Sequence, residues 1–172
     1  MNTKIAKIVV GTAVFAASAG LASSAQAQVP NPTENVEKPI RIKIGTLIPF
    51  DDLGENLFTV GASYDFGKSA SATPTVYSAY LDAGFGGSDN RIIGLGGSFR
   101  YYFTPVLAVT RFYGGAGLGA YFTDLGGETD TRFGGKVFLG AEFNQGFFGE
   151  VDVTFPGLDK QTGLGLSAGY RF

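Results

Sequence analysis

The chain has 172 residues, with 13 basic and 15 acidic side chains and a net charge of −2 at neutral pH. A slightly acidic chain argues against nucleic acid as a partner. The sequence contains no Cys, no His and no Trp. Disulfides, thiol chemistry, a Ser-His-Asp hydrolase and His-ligated metal sites are therefore excluded.

The first residues have the features of an export signal. Lys4 and Lys7 precede an apolar run at residues 8–22, and Ala25-Gln26-Ala27 follows with the small-x-small pattern of a signal-peptidase site. The run is shorter than the roughly 20 apolar residues of a membrane-spanning helix. We expect residues 1–27 to be a cleavable signal peptide, cut after Ala27. Residues 28–39 are polar, contain three prolines and predict a flexible leader.

From residue 40 to residue 172 the chain alternates apolar and polar residues in segments separated by turns. A period of two is the pattern of β-strands with one apolar and one polar face. Eight such segments can be counted, and residues 49–56, 86–91, 123–132 and 156–162 are predicted to be loops at one end. The sequence therefore predicts an all-β domain, an eight-stranded antiparallel up-and-down β-barrel at residues 40–172.

The charges within the predicted strands all fall on the polar face. Six are basic and five are acidic, a composition that suits mutual pairing in a closed space. They are Arg41, Lys43, Asp65, Asp82, Arg100, Arg111, Lys136, Glu142, Glu150, Asp152 and Arg171. We expect these eleven residues to form a charge network in the lumen.

Two features indicate that the polar face is the inside. Most strand glycines lie on it, and a narrow interior needs small neighbours for bulky side chains, whereas an exposed strand has little use for glycine. The apolar face carries sixteen aromatic residues, which would overfill an eight-stranded interior. Facing outward, they would form an apolar band with aromatic girdles. The prediction is a transmembrane barrel, and a soluble periplasmic ligand-binding barrel is the alternative.

The last strand alternates in the same way and finishes on an aromatic residue. Leu164, Leu166, Tyr170 and Phe172 share its apolar face. This ending resembles the terminal strand of bacterial outer-membrane barrels, and the resemblance implies that these four residues form a C-terminal signal read by the barrel-assembly machinery.

Residues 40–172 as a whole resemble the small eight-stranded outer-membrane barrels of the OmpA/OmpX and opacity-protein type. The segments RFYGGAGLGAYF at residues 111–122 and FGGKVFLGAEF at residues 133–143 are similar to recurring strands of that group. The resemblance implies location in the outer membrane of a Gram-negative cell, contact with outer-membrane lipid and a monomeric state. The lipid-modifying and protease barrels of that membrane are typically His-dependent, and this chain departs from them.

Candidate chemistry is sparse, and we predict no catalytic residue, no cofactor and no metal site. Glu142, Glu150 and Asp152 could be paired catalytic carboxylates, but their place in the strand alternation favours ion pairs with Arg and Lys. Acidic residues at 124, 128 and 130 match no cation-binding motif. The glycines at 115, 117 and 119 lack the dinucleotide-binding pattern.

We therefore predict a non-enzymatic outer-membrane barrel with a largely plugged, charge-paired lumen and a structural or interaction role in the cell envelope. A narrow pore or transporter for small solutes or apolar molecules is the second interpretation. The soluble periplasmic ligand-binding barrel is the third.

Overall fold

A computed structural model describes residues 36–50, 56–87, 90–103, 109–125, 128–143, 146–157 and 162–172. The predicted signal peptide with its Ala25 and Ala27 cleavage site, and residues 28–35 of the predicted leader, lie outside the described residues.

Eight β-strands follow one another along the described chain, with lengths from 9 to 16 residues. No helix in these ranges is long and apolar enough to span a membrane. The strands are β1 (Ile40–Pro49), β2 (Leu57–Lys68), β3 (Thr75–Phe85), β4 (Arg91–Tyr102), β5 (Thr110–Leu125), β6 (Glu128–Phe143), β7 (Phe147–Phe155) and β8 (Gly163–Arg171).

The strands form one closed barrel in which each pairs antiparallel with its neighbours in sequence. The first and last strands close the ring, with a register that runs from Arg41 opposite Arg171 to Pro49 opposite Gly163. Closure satisfies the backbone groups that an open sheet would leave unpaired at its edges. The prediction of an all-β, eight-stranded, antiparallel up-and-down barrel is confirmed.

One predicted loop is instead part of a long hairpin. Residues 123–132 were expected to be a polar loop, but β5 continues to Leu125 and β6 starts at Glu128, with Thr123 opposite Asp130. β7 pairs with β6 only from Gly135 onward, so the hairpin rises above β7. Polar residues at these positions do not end the ladder, because antiparallel backbone pairing needs no apolar side chain.

The two faces of the strands differ in polarity. Large apolar side chains such as Phe133, Leu139 and Leu118 are 73%, 63% and 61% exposed on the outer surface. Side chains such as Arg41, Asp65, Glu142, Tyr102 and Tyr113 are buried inside the ring. The interior of the barrel is therefore the place where functional side chains meet.

Candidate functional site: the polar interior of the barrel

The structure places all eleven predicted lumen charges inside the barrel, buried or half-buried, and brings them into three groups. The arginine cluster, near the chain termini, consists of Arg41, Arg111, Arg171 and Glu142. Next to it lies the pair Arg100 and Asp65. The lysine cluster contains Lys43, Lys136, Asp82, Glu150 and Asp152.

Glu142 on β6 is the centre of the arginine cluster. Its Oε2 accepts hydrogen bonds from Arg41 Nη1 at 3.1 Å and from the Tyr102 hydroxyl at 2.8 Å. Its Oε1 accepts from Arg171 Nη1 at 3.0 Å and from Arg111 Nη2. One carboxylate thus connects β1, β4, β5 and β8 across the barrel, which is why each of these charges tolerates burial.

Arg100 and Asp65 form a second buried pair, on β4 and β2. Arg100 Nη1 donates to Asp65 Oδ2 at 3.2 Å, and Ser78 Oγ donates to Asp65 Oδ1 at 2.6 Å. Both carboxylate oxygens of Asp65 are therefore satisfied.

The lysine cluster lies farther from the termini. Lys43 Nζ donates to Glu150 Oε1 at 2.9 Å and lies 3.7 Å from Asp82 Oδ1 and 4.0 Å from Asp152 Oδ2. Lys136 Nζ donates to Asp82 Oδ2 at 2.6 Å. The five side chains join β1, β3, β6 and β7 in one network.

Aromatic side chains fill the space between these charges. The Arg41 guanidinium lies 3.8 Å from the ring centroid of Phe148, and Lys136 Nζ lies 3.7 Å from that of Tyr80. The Tyr113 hydroxyl accepts from Arg41 Nη2 at 2.8 Å and donates to Glu150 Oε2 at 3.1 Å, so it links the arginine and lysine clusters. Cation–π contacts add to the ion pairs at such short range.

Inward-facing glycines make room for these rings. A Cβ built on Gly140 would collide with the Tyr113 ring and would lie 2.6 Å from the carbonyl oxygen of Gly149. A Cβ on Gly94 would lie 2.6 Å from the ring of Tyr121. Glycine at these positions lets a large side chain from the neighbouring strand cross the lumen.

The end of the lumen opposite the termini is apolar. Leu47, Leu57, Ile92 and Tyr121 form a buried cluster there, and the hydroxyls of Tyr121 and Tyr80 are 3.2 Å apart. Leu47 lies on the same face of β1 as Arg41 and Lys43, so an aliphatic side chain occupies this inward position. The interior is thus a polar middle closed at one end by a small apolar core.

Two small cavities can be recognised among the described residues of the interior. The central cavity lies among the arginine and lysine clusters. The upper cavity lies on the side of Leu47, Ile92 and Tyr121. Lys43 and Asp82 line both, so this ion pair stands between them.

The carboxylates considered for catalysis are held by cations. Glu142 is bound by three arginines, Glu150 by Lys43, and Asp152 accepts from Thr154 Oγ1 at 2.8 Å. In the described ranges no group of three or more Asp or Glu is arranged to hold a metal ion. At the hairpin tip, Asp130 Oδ2 pairs with Arg132 Nε at 2.5 Å.

The four residues of the predicted C-terminal signal lie on the last strand and at its end. Leu166 and Phe172 are exposed on the outer surface. Tyr170 packs edge-to-face on Phe147 and on Phe172, with ring centroids 4.9 Å apart in each case. Phe172 N donates to the carbonyl oxygen of Ile40 at 2.8 Å, which fixes the chain end against β1.

Sequence reasoning did not single out the interior tyrosines and phenylalanines as parts of the network. Tyr102, Tyr113, Tyr80, Tyr121 and Phe138 are all buried. The available signal was their position in the alternation, since each occupies the same face as a lumen charge. Their partners could not be read from the chain, because contacts such as Arg41 to Glu142 join residues 101 positions apart.

Solved structures similar to this chain include Neisserial surface protein A (19% identity, TM-score 0.58, 77% of this chain and 94% of that chain), the N-terminal β-barrel domain of Pseudomonas aeruginosa OprF (14%, 0.54, 81% and 99%) and the outer membrane enzyme PagL (14%, 0.58, 77% and 98%). No family model and no curated protein matches the sequence. Such likeness shows that the chain has the fold of small eight-stranded outer-membrane barrels, whereas activity depends on the site.

Proposed function

We propose that this chain is an integral outer-membrane barrel of the Gram-negative envelope, with a plugged lumen and a structural or interaction role. The observation that carries the proposal is the inverted polarity of the barrel. Side chains such as Ile44, Phe133 and Leu139 are exposed, whereas Arg41, Asp65 and Glu142 are buried. A barrel in water gains stability from the opposite arrangement, while a barrel in lipid requires an apolar outer band.

The distribution of aromatic and aliphatic side chains on the outer surface also supports a membrane location. Exposed aromatics cluster near both ends of the strands, with Phe112, Phe143 and Phe147 at the end of the termini and Phe85, Phe122 and Phe133 at the other. Aliphatic residues such as Leu118 and Leu139 lie between them. Aromatic girdles on either side of an aliphatic band are typical of membrane barrels, whose strands need about 9–11 residues to cross.

The ion pairs inside the barrel favour a plugged lumen over an open pore. Ion pairs cross the lumen in both clusters, and breaking one would leave a buried charge without its partner, at a cost of about 3–5 kcal/mol. Solutes would have to displace these pairs and the apolar cluster above them. A structural or interaction role needs no such passage.

An enzymatic role is not part of the proposal. PagL is an outer membrane enzyme of the same fold, and fold alone does not transfer activity. Our reason lies in the interior, where Glu142, Glu150 and Asp152 each accept a hydrogen bond from another side chain. A general acid or base must reach a substrate proton, and these groups are occupied.

A narrow pore is the second candidate, favoured by the two cavities that meet at Lys43 and Asp82. Single-channel recording in planar bilayers distinguishes the two candidates. A plug predicts no resolved conductance for the unmodified protein, and a pore predicts steps that increase when Lys43→Met removes the pair between the cavities. Arg91→Met, on the exposed start of β4, is the control for a lost charge.

The two ends of the chain are assigned roles in export and in assembly. We propose that a signal peptide ending at Ala27 directs export, and that Leu164, Leu166, Tyr170 and Phe172 are read by the assembly machinery. Deletion of Phe172 is expected to lower the amount of folded barrel in the outer membrane several-fold, while signal cleavage continues. Immunoblots of membrane fractions and N-terminal sequencing measure both, and unchanged assembly would remove the role given to this residue.

A further inference from the structure

The barrel closes at the seam, the junction of β1 and β8, and two charges of the same sign face each other there. Arg41 on β1 lies directly opposite Arg171 on β8. In the strand pairs of the described ranges, no other register position brings two like charges together. Like charges directly opposite each other destabilise an antiparallel pair. The seam therefore requires a negative charge near this position.

Glu142 supplies the negative charge from β6, a strand that does not belong to the seam. Its Oε2 accepts a hydrogen bond from Arg41 Nη1 at 3.1 Å, and its Oε1 accepts one from Arg171 Nη1 at 3.0 Å. Each of the two facing arginines is thus bound by one oxygen of the same carboxylate. Their side chains are only 3% and 13% exposed, so water does little to screen the repulsion that would remain without Glu142.

The inner face of β8 offers no second ion pair. Arg171 is the one charged residue of this strand, and its other inward positions, 163, 165, 167 and 169, hold glycine or serine. Beyond β8, a backbone hydrogen bond of 2.8 Å from Phe172 N to the carbonyl oxygen of Ile40 continues the pairing. Backbone bonds at the end of a strand open easily when nothing else holds them. The ion pair with Glu142 is therefore the side-chain contact that can hold the end of β8 against β1.

A third arginine at Glu142 differs from these two in its position. Arg111 lies directly opposite Glu142 on β5, and it binds Oε1 as Arg171 does. The Arg111 and Arg171 side chains are exposed to a similar extent, 17% and 13%. Arg111 joins two strands that are already paired with each other and takes no part in the seam, which makes it a matched control.

We propose that Glu142 holds the seam closed at the end of the barrel that carries the termini, by binding Arg41 and Arg171 from across the lumen. When the carboxylate is lost, the two arginines repel each other and β8 separates from β1 at this end. A general role of Glu142 in packing would instead loosen its own strand, β6, against β5 and β7. The proposal concerns the closure of the barrel and depends neither on lipid nor on conductance, so its failure would leave the proposed function intact.

Amide hydrogen exchange, resolved by residue with NMR in detergent micelles, shows where the barrel loosens. In Glu142→Gln we expect the amides of residues 40–43 and 169–172 to exchange about tenfold faster or more, because local opening of the seam exposes them to water. Amides of residues 110–113 and 140–143, where β5 and β6 meet at the same end, should change less than about twofold. Faster exchange centred on β6, an equal increase in both regions or no increase at the seam would overturn the proposal.

Arg111→Gln is the control for the loss of one ion pair at the same carboxylate. It leaves Arg41 and Arg171 bound to Glu142, so exchange at the seam should stay within about twofold of that in the unmodified protein. Seam exchange that rises as much in this variant as in Glu142→Gln would contradict the specific role of the two facing arginines.

Disulfides provide a second test, which also covers a Glu142→Gln variant that folds poorly. The chain has no cysteine, and Ala168 on β8 faces Ile44 across the seam and Gly149 on β7. Ala168→Cys is combined with Ile44→Cys or with Gly149→Cys. The midpoint temperature of the gel shift on heating is then measured for the oxidised and reduced proteins, with and without Glu142→Gln.

Oxidation of the seam pair is expected to recover most of the temperature lost in Glu142→Gln, beyond the effect that the same disulfide has when Glu142 is present. The pair between β7 and β8 should recover none of it. A Glu142→Gln protein that folds only with the seam disulfide counts as recovery. Equal recovery by the two pairs, or no recovery by the seam pair, would overturn the proposal.

Discussion

The inner and outer faces of the same strands follow opposite rules. On β6, Lys136 and Glu142 point inward and are 5% and 4% exposed, while Phe133 and Leu139 point outward and are 73% and 63% exposed. Inside, each charge is held by a partner from another strand. Outside, neighbouring side chains are apolar and form few specific contacts.

The two faces therefore constrain the choice of amino acid to different degrees. The inner face depends on individual pairs, because each polar group must find its own partner. The outer face depends only on its average character, because any apolar side chain of suitable size suits a lipid surface. Substitutions on the two faces should therefore change the free energy of unfolding by different amounts and for different physical reasons.

The largest expected effect is the loss of the carboxylate at the centre of the arginine cluster. Glu142→Ala leaves Arg41, Arg111 and Arg171 facing one another, which should lower the free energy of unfolding by about 3–5 kcal/mol. Denaturant unfolding in phospholipid vesicles measures the change. Glu37→Ala, at an exposed position before β1, is the control and should be almost neutral. Equal effects of the two would contradict the closed ion-paired lumen.

Placing a charge on the outer face tests the membrane environment. Leu118 lies between Phe112 and Phe122 on β5 and is 61% exposed. In a bilayer, Leu118→Arg should cost about 2–4 kcal/mol, whereas Phe133→Arg, closer to the end of the barrel, should cost about 0–1 kcal/mol. The same vesicle unfolding experiment compares them. A barrel that resides in water would tolerate both equally.

The smallest expected effect distinguishes two glycines on paired strands. At Gly140 a Cβ would collide with the Tyr113 ring inside the lumen, while at Gly149 a Cβ would meet nothing within 4 Å. Gly140→Ala should destabilise by about 1–3 kcal/mol through overpacking. Gly149→Ala should be neutral or stabilising by about 0.5–1 kcal/mol, since alanine restricts the unfolded chain. Reversal of this order in unfolding midpoints would contradict the assignment of faces.

The strands were predictable because alternation is a local property of the sequence. Ile42 and Ile44 lie outside, and Arg41 and Lys43 lie inside, as a period of two requires. The eight-strand count and the closed antiparallel topology followed from the number of such segments and from their short connections. The hairpin at residues 123–132 was missed because its polar side chains carry no alternation, although its backbone continues the ladder.

The site was only partly predictable. The alternation indicated that Glu142 and Arg41 share the interior, but not that three arginines converge on this one glutamate. That convergence depends on strand register and on side chains crossing the lumen, and residues 101 positions apart leave no local trace in the sequence.

The membrane barrel is tested most directly by the location and heat-dependence of the 172-residue chain expressed in a Gram-negative host. Outer membranes are separated from the soluble periplasm, and each fraction is run on denaturing gels with and without boiling. A membrane barrel should be recovered in the outer membrane, and its mobility should change on boiling, because a closed barrel stays folded in cold detergent. Recovery in the soluble periplasm with no change on boiling would contradict the membrane barrel.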